Sequence, residues 1–90
     1  MTVDEAIAEL ASAKGNYKCS QMVRLLESLG FVVEDAKTKH HKKVKHPKLP
    51  GFYGTNFACP SRGGAGIKKP YITNIRRTLE TWKDELERVL

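Results

Sequence analysis

The hydrophobic positions of this 90-residue chain change period twice, and a turn-forming residue stands near each change. Val3, Ala6, Ile7, Leu10 and Ala11 fall on one face at helical spacing. Thr2 and Glu5 have the separation of a capping box, so a first helix is expected from there to Gly15-Asn16. Asp4 and Glu5 suit the positive end of that helix. A second helix is expected from about Lys18 to Ser28, with Met22, Leu25, Leu26 and Leu29 inward. Gly30 is well placed as its left-handed C-terminal residue.

The pattern then becomes that of strands. Phe31-Val32-Val33 opens one that reaches Lys37, Thr38-Lys39-His40 makes a tight turn, and His41–His46 forms a second strand. Pro47, Pro50 and Gly51 make the next connection irregular, because proline cannot donate to a ladder. A third strand is expected at Tyr53–Ala58, weakened by Gly54, and Cys59–Gly66 is a glycine-rich loop. Pro70 suits the first turn of a final helix. There Ile72, Ile75, Leu79, Trp82, Leu86 and Val89 recur alternately at three and four residues, a narrow apolar seam. The seam reads as core packing or, beyond Leu79, as a helix for a partner or a second copy of the chain. The first helix is another candidate to cover it.

The expected order is therefore α-α-β-β-β-α in an α+β domain, with antiparallel strands because their connections are short. Without the first helix it is α-β-β-β-α around a three-stranded sheet, the order of double-stranded-RNA-binding domains. Such an order alone does not fix function. Residues 1–90 make one domain: an N-terminal helical extension over 1–16, a core over 18–79 and an extension of the last helix over 80–90.

Composition adds little until charge is located. Apolar residues at 40% and charged residues at 29% describe ordinary globular material. No apolar run approaches the ~18 residues of a membrane span, and Met1-Thr2-Val3-Asp4-Glu5 lacks the marks of a secretory signal. A cytoplasmic protein is expected, with Cys19 and Cys59, far apart in sequence, as reduced thiols. The net charge is +6, yet residues 36–77 carry eleven basic side chains and no acidic one. A block of one sign between mildly acidic ends is a localised field. Its expected partner is a polyanion, with nucleic acid ahead of an anionic membrane surface.

Strand alternation sharpens that block. Val44 is the only apolar residue of His41–His46, so it faces the helices together with Lys42 and His46. His41, Lys43 and Lys45 then form an outward row. Lysines hold phosphates, and imidazole titrates near neutrality, so it can take a proton from a 2′-hydroxyl and make it a nucleophile. The same row also reads as a solvated surface, and His46 before Pro47 reads as a structural strand-end residue. No CxxC pair or HExxH helix gives ligand spacing, so neither a metal nor a cofactor is expected. Ser61-Arg62-Gly63-Gly64-Ala65-Gly66 before Lys68-Lys69 is either a phosphate cradle or a linker. Phe52, Tyr53 and Phe57 read as base-stacking or as core residues.

Four pieces, taken in order, resemble the HicA family. Lys18–Phe31 (KCSQMVRLLESLGF) is similar to its opening helix, which ends in a Gly-aromatic step. Lys39-His40-His41-Lys42 is similar to its turn-and-histidine signature, commonly Gly-Ser-His-His. Lys45-His46-Pro47 with Pro50-Gly51 resembles the His-Pro and Pro-Gly run that follows. Ile67-Lys68-Lys69 with Ile72 and Ile75 resembles the final helix and its approach. The match spans roughly residues 18–79, and its specificity lies in the order of short motifs. It implies a double-stranded-RNA-binding-like fold and a metal-independent, mRNA-cleaving toxin of a type II toxin–antitoxin system, neutralised by a HicB-like antitoxin. It implies His41 as the catalytic histidine, with His40 in a supporting role. Lys39, Lys42, Lys43, Lys45, Arg62, Lys68 and Lys69 would then hold RNA. Two departures stand out: Thr38-Lys39 replaces Gly-Ser, and Cys59-Pro60-Ser61-Arg62 lacks a histidine that many members have there.

Three functions follow as expectations: an endoribonuclease toxin, a non-catalytic RNA-binding module of the same fold, or a protein-interaction module using the C-terminal seam.

Overall fold

A computed structural model describes residues 1–38, 40–61 and 65–90. The elements, in chain order, are α1 (Val3–Ser12), α2 (Cys19–Ser28), β1 (Val32–Asp35), β2 (His41–Lys45), β3 (Thr55–Ala58), α3 (Lys69–Thr81) and α4 (Lys83–Val89). The capping box forms: Glu5 N–H donates to Thr2 Oγ1 at 3.0 Å, and Thr2 N–H donates to Glu5 Oε1 at 2.7 Å. The strands pair antiparallel in the order β1-β2-β3, with Val33 opposite Val44 and His41 opposite Ala58. The chain is thus a small α+β domain.

Helix α2 packs on β1 and α3 on β3, while α1 lies against α3 and α4. One face of the sheet is covered, with Val44 and Phe57 buried beneath Met22, Leu25, Ile75 and Leu79 in one continuous core. The other face points away from the helices. Loop residues close the core's edge: Ile67 N–H donates to Tyr17 O at 2.8 Å, and the Tyr17 hydroxyl donates to Glu9 Oε2 at 2.5 Å. Burial, joined by that hydrogen bond and the Glu9 charge, pushes the Tyr17 phenol far above its ordinary pKa.

Several boundaries differ from the pattern-based expectation for local reasons. The first helix stops at Ser12, with Ala13 already extended, and Ala11 is exposed rather than inward. The third strand starts at Thr55 and not Tyr53, because Gly54 has φ +108° and its backbone comes close to Val44 O. The final helix divides at Trp82, whose backbone (φ −101°, ψ 12°) leaves helical geometry. That bend seats the Trp82 indole against Phe52, ring centres 5.8 Å apart, and keeps Leu86 fully buried. Ile72, Ile75, Leu79 and Leu86 are all inside, so most of the C-terminal seam is spent within the chain.

The expectation of two free thiols is corrected. Cys19 and Cys59 form a disulfide across 40 residues of sequence, their Cα atoms 5.5 Å apart. Sequence separation concealed this, because the fold brings the start of α2 to the end of β3. Reduction should lower the unfolding free energy by about 2–4 kcal/mol, as expected when a long loop is released. Denaturant unfolding with and without a dithiol checks this, and identical midpoints would contradict it.

Candidate functional site

The orientation of the hairpin is set at one end by His46. This ring is 7% exposed and lies edge-on to Phe31, centroids 4.8 Å apart. Lys48 N–H donates to its Nδ1 at 3.1 Å, so Nδ1 is an acceptor, and Nε2–H donates to Leu29 O at 3.1 Å. Gly30, at φ +87°, leaves the room that the ring occupies; a Cβ there would stand 3.0 Å from Nε2. His46 therefore ties the end of β2 to the C-terminus of α2, a structural task. With His46 and Val44 buried and Lys42 half-buried, His41, Lys43 and Lys45 take the opposite, exposed face.

Acidic residues of β1 temper the charge of the hairpin on both faces. Lys42 forms an ion pair with Asp35, and Lys45 Nζ lies 3.6 Å from Glu34 Oε1. Lys43 sits between Glu34 and Asn56 in register and makes no ion pair among the described residues. Charge counting over residues 36–77 missed this compensation, because the two carboxylates lie just before that window.

At the turn, His41 is held twice by Thr38. Its N–H donates to Thr38 O at 3.0 Å, and its Nδ1 is 2.5 Å from Thr38 Oγ1. Nε2 has no hydrogen-bond partner among the described residues, and it is the acceptor nitrogen in the tautomer whose Nδ1–H donates to Thr38 Oγ1. The Thr38 hydroxyl thus orients the ring.

His40 and His41 line a cleft of about 580 Å³. Its other walls are Cys59, Pro60 and Ser61 after β3, and Lys68 and Tyr71 at the start of α3. The fold keeps these walls close: Cys59 N–H donates to His40 O at 2.6 Å, and the disulfide ties Cys59 to α2. Lys68 is exposed at the N-cap position of α3, where unpaired backbone N–H groups add to its positive charge. An imidazole, an ammonium and a hydroxyl around one hollow can move a proton beside a bound phosphate.

The expected site residues do not all gather there. His40, His41 and Lys68 meet at the cleft. Lys43 and Lys45 border a separate groove with Tyr53 and Asn56, and Lys69 lies on α3 in a shallow hollow with Tyr71 and Arg77. Lys42 turns toward the helix side and Asp35. Lys39 and Arg62, and with Arg62 part of the glycine loop, lie outside the described residues. Tyr71 and the Thr38 hydroxyl had no motif to announce them; for Thr38 the proximity to His41 in a turn was the only signal, and for Tyr71 there was none.

Among the described residues, no three His, Cys, Asp or Glu side chains gather into a metal-ligand group, and no helix is long and apolar enough to cross a membrane. Comparison with protein-family models, curated proteins and solved structures finds no match to this chain.

The two histidines should separate in a stability measurement. His46→Ala should cost about 2–4 kcal/mol, since it opens a cavity and strands Leu29 O and Lys48 N–H. His41→Ala, at an exposed position, should stay within about 0.5 kcal/mol of wild type. Urea denaturation of both variants checks this, and equal losses would contradict the division of roles.

Proposed function

We propose that this chain is an endoribonuclease toxin of the HicA kind, belonging to a type II toxin–antitoxin pair and cleaving mRNA without a metal ion. The observation that carries the reading is His41: exposed, anchored through Nδ1 by Thr38, and set at the mouth of a cleft shared with Lys68 and Ser61. Element order supports a double-stranded-RNA-binding-like core, and the ordered short motifs support the family. The working compartment would be the cytoplasm, and the neutralising partner a HicB-like protein.

In this reading His41 Nε2 takes the proton of a 2′-hydroxyl. The freed oxygen attacks the adjacent phosphorus, and the bond to the 5′-oxygen breaks. The products are a 2′,3′-cyclic phosphate and a 5′-hydroxyl. His40, on the same cleft wall, would return a proton to the leaving oxygen. Lys68 and the Ser61 hydroxyl would stabilise charge building on the phosphate. A nucleophile supplied by the substrate itself requires only acid–base help and charge stabilisation, which these side chains can give.

Expression of wild type should arrest growth and cleave mRNA, and His41→Ala should do neither, with a cleavage rate lower by about 10²–10⁴-fold. Thr38→Val should fold normally and lose about tenfold, the share due to ring orientation. Growth curves and cleavage of a labelled transcript in chelator check both. Equal toxicity from wild type and His41→Ala, or none from either, would overturn the reading. Salt-sensitive binding without cleavage would instead indicate the non-catalytic RNA-binding module.

A further inference from the structure

Tyr53 is 97% exposed, the most exposed large side chain of hydrophobic character among the described residues. Its neighbour Phe52 turns inward and stacks edge-on with Phe31 and Trp82, and Phe57 is fully buried. Tyr53 lies in the extended approach to β3, just before Gly54 with φ +108°, and its ring stays out of the core. It stabilises nothing inside. Instead it borders a groove of about 240 Å³ with Lys43, Lys45 and Asn56, on the uncovered side of the sheet.

The chemistry of this groove is specific. An aromatic face wholly in water presents a stacking surface, Asn56 offers an amide donor and acceptor, and two ammonium groups flank them. Lys43 has no ion pair among the described residues. The Lys45–Glu34 contact is 3.6 Å long and exposed on both sides, a pair of small worth that a phosphate can displace. A base whose faces are hidden in a duplex stack cannot use such a ring, whereas an unpaired base can.

We infer that the Tyr53 groove is a binding subsite for single-stranded RNA, stacking one unpaired base on Tyr53 while Lys43 and Lys45 hold the flanking phosphates. The inference rests on the ribonuclease reading in one respect: it makes the groove an arm of the same RNA path. His41 and Lys45 stand four residues apart on β2, roughly 13 Å at the rise of a strand. A few nucleotides of extended strand cover that distance. The stacked base is then a neighbour of the phosphate at His41, not its own sugar, and unpaired RNA is the substrate class.

The test uses full-length protein and a fluorescent 2′-O-methyl oligonucleotide, which lacks the 2′-hydroxyl and so reports binding without cleavage. A single strand and a hairpin duplex of the same composition are titrated against wild type, Tyr53→Phe, Tyr53→Ala and Lys43→Ala. Wild type should favour the single strand. Tyr53→Phe should bind like wild type, Tyr53→Ala about tenfold more weakly, and Lys43→Ala should reduce the log–log salt slope by about 0.7. All four should melt alike, since neither side chain is buried. Wild-type binding to the single strand with no loss in Tyr53→Ala would overturn the subsite and leave the ribonuclease reading standing, as would a preference for duplex. Absence of binding to either RNA would overturn both.

Discussion

The arrangement depends on one buried ring. His46 bonds Leu29 O with Nε2 and Lys48 N–H with Nδ1, and it fills the space that Gly30 leaves at the end of α2. This bond fixes which side of β2 faces the core, because strand residues alternate and a one-residue slip would exchange every side chain between faces. With His46 and Val44 inside, His41, Lys43 and Lys45 are necessarily outside. The polar chemistry of the hairpin is therefore a consequence of packing at its far end. The neighbouring His-Pro and Gly-aromatic steps also share a cause, since His46, Gly30 and Phe31 occupy one contact.

A second set of ties positions the opposite end. The Thr38 turn orients His41, the Cys59 N–H to His40 O bond joins β3 to that turn, and Cys19–Cys59 fastens both to α2. The hairpin wall and the wall after β3 are thus tied to each other and to α2, while Lys68 and Tyr71 close the third side. The disulfide stands beside the imidazoles, so the redox poise of the compartment bears on the rigidity of the wall. With the pair reduced, the tie to α2 is lost, while the Cys59 N–H to His40 O bond and the Thr38 contacts to His41 remain.

Much of this was legible where periodicity and burial coincide. The capping box of Thr2 and Glu5, the inward leucines of α2, the glycine at position 30 and the outward parity of His41 all follow from local pattern. Features that depend on sequence-distant contacts were not. The disulfide joins residues that only the tertiary fold brings together, and the ion pairs of Lys42 and Lys45 require β1 to lie beside β2. The break at Trp82 was hidden because the seam keeps its spacing through the bend, while the cause, Phe52 and Gly51 beneath the indole, lies thirty residues earlier. Tyr53 illustrates the same limit: its aromatic type suggested either core or stacking, and only the tertiary fold, which turns Phe52 inward, leaves Tyr53 in solvent.

In the proposed reaction His41 activates a 2′-hydroxyl of the RNA itself. The direct test is the chemistry of the ends left on a short labelled RNA after incubation with the protein in chelator, read by mass spectrometry. The expected products are a 2′,3′-cyclic phosphate on one fragment and a 5′-hydroxyl on the other, with no cut at a position carrying a single 2′-deoxy substitution. A 3′-hydroxyl with a 5′-phosphate, or cleavage at the 2′-deoxy position, would contradict it.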